Sequence, residues 1–577
     1  MRKGSWGILL AWTLCTATLA AEPDWIRQSN EHAQVLLEVM ARYNPEAAAS
    51  LGVEGHDEDI FDLKPRRVER QAADFEAAAQ KLEQARTGVS DPRVAQDLQI
   101  LIDYARDRRN TLLLEQRLML FYFDLPEAIF RSFQNLIDPR VPKDRQKAAL
   151  VRLHRYVGAE RGYEPITSQF QARFAESAAD SSRTGPWVSE VQTHLEKQSR
   201  YVDGIEKLLK ESGLKGWQRD FATLKKQLAD HAKWVRAEVL PRARPTNRLP
   251  REIYADNLKA FGVTMQPEEL IDRALGAYTQ ARDELAALAR VLAEQRGWKS
   301  SDYRDVIREL KKQRITKDRL LDVYRARTRA IEETVRREAI VSLPTREVEI
   351  RLATEAEAAA SLAPHIDPPR LVGNTGERAQ FVLAAELEDF SYDAIAWTLS
   401  AHEARPGHDL QFASMLEQGV STARIIFAFN SANVEGWALY AEAVMKKHLP
   451  LEGQIGSLQM RMMRAARAFL DPMLNLGLIE PDQARKLLMD EVMLSEAMAR
   501  SEVDRYTFDM PGQATAYFFG YSKLAALRAR AELALGDRFR EQAFHDFILS
   551  QGLLPLDMLE QAVMESFVPS VRQADGS

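Results

Sequence analysis

Residues 395–415 read IAWTLSAHEARPGHDLQFASM. Ile395, Thr398, Leu399 and His402 recur at helical spacing, which predicts a helix with His402 on its inward stripe. His408, Gln411, Phe412 and Met415 form a second such stripe. The two histidines are six residues apart, whereas a zinc helix of the H-E-x-x-H type has them four apart, on one face. Six residues of ideal helix are about 240° and roughly 9 Å, too far for two rings to share a metal. Pro406, however, stands at i+4 from His402, offers no N–H to its carbonyl and would clash with it. Gly407 accepts backbone angles closed to other residues. We read Pro406-Gly407 as a two-residue bulge that widens one turn and returns His408 to phase with His402. A plainer reading stands beside it: a hydrogen-bonded core histidine, a surface Glu403 and an ordinary helix end.

A second run, VEGWALYAE at 434–442, supplies the remaining donor. Hydrolytic zinc takes imidazole nitrogen and carboxylate oxygen from three protein groups and leaves a fourth position open. His402, His408 and Glu435 are the three ligands of our reading, with one Zn2+ per chain. Glu403, beside the first ligand, is placed to take a proton from the attacking water. Glu435, Ala438, Leu439 and Glu442 share one side of their helix. A carboxylate on so apolar a face must be paired or bind a cation. The alternative for Glu435 is a buried ion pair with Arg424 or Arg464. Glu442, about 10 Å farther along the axis, is expected to support a ligating imidazole, or to be the third ligand if the helix phase differs. Gly436 favours Glu435, because it lets another backbone or a substrate come close.

Four blocks carry a family resemblance: HEARPGHDLQ at 402–411, EGWALYAE at 435–442, PGQATAYFFG at 511–520 with Leu527-Arg528, and Phe544-His545-Asp546 followed by GLLPL at 552–556. They resemble the signature blocks of a large bacterial family, domain of unknown function 885. The resemblance is strong over about residues 365–565 and diffuse upstream to about residue 30. It implies a helical, metal-dependent peptidase of the zincin kind. Many members carry consecutive histidines where this chain has His408-Asp409, a departure that leaves the expected ligands untouched.

The chain has 577 residues with 45% hydrophobic content, enough for a large core in two or more lobes. Its net charge of −6 comes without a basic stripe, which argues against nucleic acid as a partner. Met1-Arg2-Lys3, the apolar run Trp6–Ala20 and the small residues after it read as a secretory signal, residues 1–21, cleaved after Ala20 or Ala21. The run is short for a membrane anchor, so no stable insertion is expected. Cys15, the single cysteine, lies inside it behind Leu14, a poor setting for lipid attachment. The mature chain then lacks cysteine, which suits the periplasm and excludes thiol catalysis and cysteine ligands.

Helical periodicity covers 24–43, 66–86, 91–115, 142–161, 187–211 and 217–238. Pro241 to Pro250 breaks the pattern and marks the boundary between an N-terminal helical lobe, 22–240, and a catalytic lobe, 241–577. Helices resume at 251–260, 266–295, 301–312 and 316–337. Glu347–Leu352 alternates like a strand, Pro364–Pro369 reads as a loop, and Gln380–Leu383 as a second strand. The expected fold is therefore mainly α, two-lobed and zincin-like, with a small hairpin or sheet beside the metal helix. Such a sheet either offers an edge to an extended peptide or is plain scaffolding.

The third block bears on the oxyanion. Gln513, Tyr517 and Tyr521 recur at i, i+4 and i+8. Tyr517 is the first choice for the donor that a tetrahedral intermediate requires, although a tyrosine beside Phe518 and Phe519 also suits core packing. Arg528 and His545 are rivals, or hold a substrate carboxylate. The whole reads as an exported zinc peptidase for short peptides, with oligomeric state open. Two other classes remain: a zinc amidohydrolase acting on a cell-wall or other non-peptide amide, and a non-catalytic periplasmic binding protein with a relic site. Intact Glu403 argues against the last, since a base contributes nothing to holding metal.

Overall fold

The computed structural model describes residues 23–354, 357, 363–374, 376–384 and 388–574. The expected signal segment and Cys15 lie outside them. The described chain is almost entirely helical, with one small open sheet. None of its helices is long and apolar enough to cross a membrane.

The periodic stretches become α1 (Asp24–Tyr43), α2 (Arg67–Arg86), α3 (Pro92–Leu118), α4 (Val188–Glu211), α5 (Gln218–Trp234), α6 (Pro267–Arg296) and α7 (Lys317–Arg337). Their ends follow local chemistry. The Asp91 side chain accepts from the Arg93 N–H ahead of Pro92, and Gly297 closes α6 in the left-handed region. The expected helix at 142–161 is instead two, Lys143–Gln146 and Ala148–Tyr156. Leu125–Leu136 and Ile166–Ala178 are helices that the periodicity reading passed over.

Three strands form the sheet: β1 (Glu349–Leu352), β2 (His365–Asp367) and β3 (Gln380–Leu383), in the order β1-β3-β2. β1 runs parallel to β3 and β2 antiparallel to it. The hairpin alternative is thereby replaced by a mixed sheet. The stretch expected to be a loop, Pro364–Pro369, contains its edge strand, because pairing with buried β3 outweighs two flanking prolines.

The hydrophobic cores do not divide at residue 240. One continuous core joins Leu36, Phe75 and Leu101 of the N-terminal helices to Leu285, Tyr324, Leu399, Trp437 and Phe544. A second core, of Leu63 and residues from Leu125 to Leu228, stands apart, and a small third one ends at Val239. Helices α1 to α3 thus pack with the C-terminal half, and residues from about 120 to 239 make up the separate layer.

The site is carried by α8 (Asp393–Leu399), α9 (His408–Gln418), α10 (Ser431–Lys446), α11 (Leu451–Asn475), α12 (Glu496–Asp504), α13 (Ala516–Leu535) and α14 (Glu541–Ser550). α11 is buried on nearly every side, as a central helix must be. α10 and α13 cross backbone to backbone at Gly436 and Gly520. A Cβ on Gly520 would stand 1.9 Å from the Ala432 carbonyl oxygen. Gly520→Ala is therefore expected to destabilise the protein by about 1–3 kcal/mol or more and to push Tyr517 of α13 away from Glu435 of α10. A thermal melt equal to that of the wild type would show that the crossing is not tight.

Candidate metal centre

The two histidines come together by a route other than a bulge in one helix. After α8 the chain makes a wide turn over Ser400–Ala404, closed by the Arg405 N–H donating to the Ser400 carbonyl at 3.0 Å. Arg405 is then extended, at φ −123° and ψ 131°, as the residue before a proline is driven to be. The Arg405-Pro406 peptide is cis. A new helix starts at His408. The helix ends and restarts because Pro406 can neither donate to it nor fit inside it. A Cβ on Gly407 would lie 1.8 Å from the His402 carbonyl oxygen, so only glycine lets the chain fold back this closely. Trp437 of α10 donates its indole N–H to the Pro406 carbonyl at 3.0 Å and pins the break.

This brings His402 and His408 ring to ring, with centroids 4.8 Å apart and planes at 85°. Glu435 Oε2 lies 3.6 Å from His402 Nε2 and 3.3 Å from His408 Nε2. The donor atoms of the three residues all fall within 4.8 Å of one another. The pairing alternatives for Glu435 do not occur. Arg424 pairs with Asp97 at 2.7 Å, and Arg464 lies 3.4 Å from Glu442. Glu442 reaches the other side of the same ring, 2.7 Å from His402 Nδ1, and accepts from Thr398 Oγ1 at 2.8 Å. The two carboxylates of α10 thus bracket His402, one at each nitrogen. Burial works to raise the Glu435 carboxyl, but the two imidazoles outweigh it and hold its pKa well below the usual range. Burial also works to lower His402, yet Glu435, Glu442 and Glu403 raise it to about 9.

Glu403 is buried and lines the same cavity, of about 950 Å³. Tyr517 lines it too, its ring stacked on that of His402 at 6.2 Å and 13°. Arg505 donates to the Tyr517 hydroxyl at 3.3 Å and to Gln513 Oε1 at 3.0 Å, so Gln513 orients Arg505. Burial raises the Tyr517 phenol, with Arg505 opposing, so it is a protonated donor at neutral pH. Tyr521 is not among the residues lining this cavity and instead packs under Arg461.

Arg528 and His545 are not among them either. His545 Nε2 is 2.8 Å from the Tyr440 hydroxyl, and its Nδ1 is 2.7 Å from the Ile340 carbonyl. Arg528 binds Glu541 and Glu532, and donates to Tyr440 at 3.3 Å. This group buttresses Trp437 from behind, since the His545 and Trp437 rings lie 5.8 Å apart. Asp409, where many relatives have histidine, forms an ion pair with buried Arg405 at 2.6 Å.

Sequence reading missed the wall facing the histidines, Arg467, Glu502 and Arg505, and named Arg464 only as a pairing alternative for Glu435. A signal existed for the first and the last of these arginines in chain order on α11. Arg464 and Arg467 stand at i and i+3 in the largely apolar run LQMRMMRAARAFL at 458–470, where unpaired arginines are costly.

The model of one family, "Bacterial protein of unknown function (DUF885)", matches residues 45–563. The chain belongs to DUF885. Two solved structures share the fold of this DUF885 protein. One is described as "the putative lipoprotein from Colwellia psychrerythraea", with a TM-score of 0.75 and 17% identity over 94% of this chain and 100% of that one. The other, "a putative lipoprotein of unknown function from Shewanella oneidensis", has a TM-score of 0.70 and 20% identity over the same shares. No curated protein matches the chain.

Proposed function

We propose that this DUF885 protein is a zinc-dependent peptidase of the zincin kind that hydrolyses short peptides. The spacing of the donor atoms carries the reading. Atoms bound at roughly 2.0–2.1 Å around a tetrahedral centre lie about 3.3 Å apart. Glu435 Oε2 stands at 3.3 and 3.6 Å from the two Nε2 atoms, and makes no hydrogen bond among the described residues. These separations are too long for charge-assisted hydrogen bonds and suit a shared cation. The donor set, two imidazoles and a carboxylate, suits zinc. When bound, zinc supplies a Lewis acid that polarises the peptide carbonyl and makes water a nucleophile at neutral pH.

The chain's own groups supply the rest. Glu403 takes the proton of the attacking water and passes it to the leaving amine. The Tyr517 hydroxyl accepts from Arg505, which leaves its own O–H free to donate to the oxyanion. β2 stands at the sheet edge, and His365 and Ile366 line the cavity, so main-chain pairing there would hold an extended peptide whatever its side chains. A cavity of about 950 Å³ suits a peptide of a few residues. Export fits the description of both structural relatives as "putative lipoprotein".

The test is metal analysis of the purified mature protein beside turnover of a mixed peptide library and of muropeptides. About one zinc per chain is expected, largely lost in His402→Ala and His408→Ala, with oligopeptides cleaved. Turnover of muropeptides alone would move the assignment to the cell-wall amide class. A protein that takes up no zinc and cleaves nothing would end it.

A further inference from the structure

The cavity wall opposite the histidines carries three guanidinium groups, Arg464, Arg467 and Arg505, and the carboxylates Glu502, Asp504 and Asp509. Arg467 is fully engaged, with Nε and a terminal nitrogen 2.7 and 2.6 Å from Glu502. Glu502 also accepts from the Tyr506 hydroxyl at 2.6 Å, so three of its acceptor positions are taken. Arg464 leans on Glu442 at 3.4 Å; its side chain is 6% exposed and its Nε finds no hydrogen-bond partner among the described residues. Among the described residues Arg505 makes no ion pair closer than 4.0 Å, and Asp509 of its own turn lines the cavity without contacting it. Its bonds go to the neutral Gln513 and Tyr517, and Glu502, at 4.0 Å, is already held by Arg467. The three guanidiniums all approach the ring of Tyr517, at 4.5, 5.6 and 5.9 Å from its centroid for Arg467, Arg505 and Arg464.

The charges then close with one left over. Glu435 and Glu403 balance a divalent ion, Glu442 balances Arg464, and Glu502 balances Arg467. Arg505 remains, while the rim beyond it mixes both signs. A guanidinium in a cleft without its counter-ion is a ready carboxylate site, because its planar fork binds two oxygens at once. Its place fits one carboxylate in particular. Arg505 touches the Tyr517 hydroxyl, and the Tyr517 ring stacks on His402. With Arg505 at 5.6 Å and His402 at 6.2 Å from the centroid of that ring, the span from metal ligand to guanidinium is no more than a few residues of extended chain, at about 3.3–3.6 Å each.

We propose that Arg505, with Arg464 beside it, binds the free C-terminal carboxylate of the substrate, one or two residues beyond the bond that is cut. The protein is then an exopeptidase that releases one residue, or a dipeptide, from the C-terminus. This rests on the peptidase reading and adds its direction.

The experiment compares N-acetylated tri- and tetrapeptides as free acids and as C-terminal amides. Binding is measured by calorimetry on the zinc-loaded Glu403→Gln protein, with and without Arg505→Gln or Arg505→Lys, and cleavage on the protein with Glu403 intact. The free acid should bind on the order of 100-fold more tightly than the amide. Arg505→Gln should erase that preference, bringing the affinity for the free acid down to that for the amide. Arg505→Lys, which keeps charge but not the fork, should restore part of it. Equal binding of acid and amide, binding of neither, or equal loss for both in Arg505→Gln would overturn the carboxylate site. Cleavage without an acid preference would leave the peptidase reading standing alone. An acid preference in binding with no cleavage would do the reverse.

Discussion

Glu403→Gln is expected to keep its zinc and to lose about 10²–10⁴-fold in turnover, the scale of removing a general base. The substitution is nearly isosteric, and Glu403 is not one of the three converging donors, so metal loading should not change. Glu403 is 7% exposed and faces the cavity beside His402, where a water between metal and substrate would lie. A glutamine there can still hydrogen-bond but cannot take a proton. Turnover and zinc content should be measured on the same preparation. Near wild-type activity would remove Glu403 from the mechanism, and loss of zinc would make it a ligand instead.

Glu435→Ala should have the largest effect on zinc affinity, and Glu442→Ala a smaller one. Glu435 offers the third donor, equidistant within a few tenths of an ångström from the two imidazole nitrogens. Without it two imidazoles remain, too few for a stable protein site. Glu442 touches the far nitrogen of His402 and fixes the direction of the ring. Such outer partners are worth roughly 10–100-fold in affinity. Glu442→Ala should also lower the melting temperature, since it strands Arg464 and Thr398 in a buried setting. Titration of both variants with zinc against a chelator decides the assignment. If Glu442→Ala empties the site while Glu435→Ala stays loaded, the ligand is wrong by two helical turns.

The helical character of the chain, its family and the residues that carry the candidate centre were all legible in one dimension. Apolar spacing set the long helices to within a few residues, as at Asp24–Tyr43 and Pro267–Arg296, because helix periodicity is a local property. The metal motif was legible because Pro406 and Gly407 each forbid or permit something in their own backbone. Other features needed the folded chain. Glu442 and Glu435 meet the two nitrogens of one ring only because α10 lies against the turn that holds His402. His545 and Arg528 stand in strong family blocks, yet their work is to back Trp437 and Tyr440. β2 is a strand solely through its pairing with β3. The arginine wall is assembled from α11 and from the turn after α12, segments about 40 residues apart, around a tyrosine from a third helix. Backbone restrictions and periodicity act between near neighbours and are written in the sequence. Charge balance in a cavity depends on which distant groups share it, and only the tertiary structure decides that.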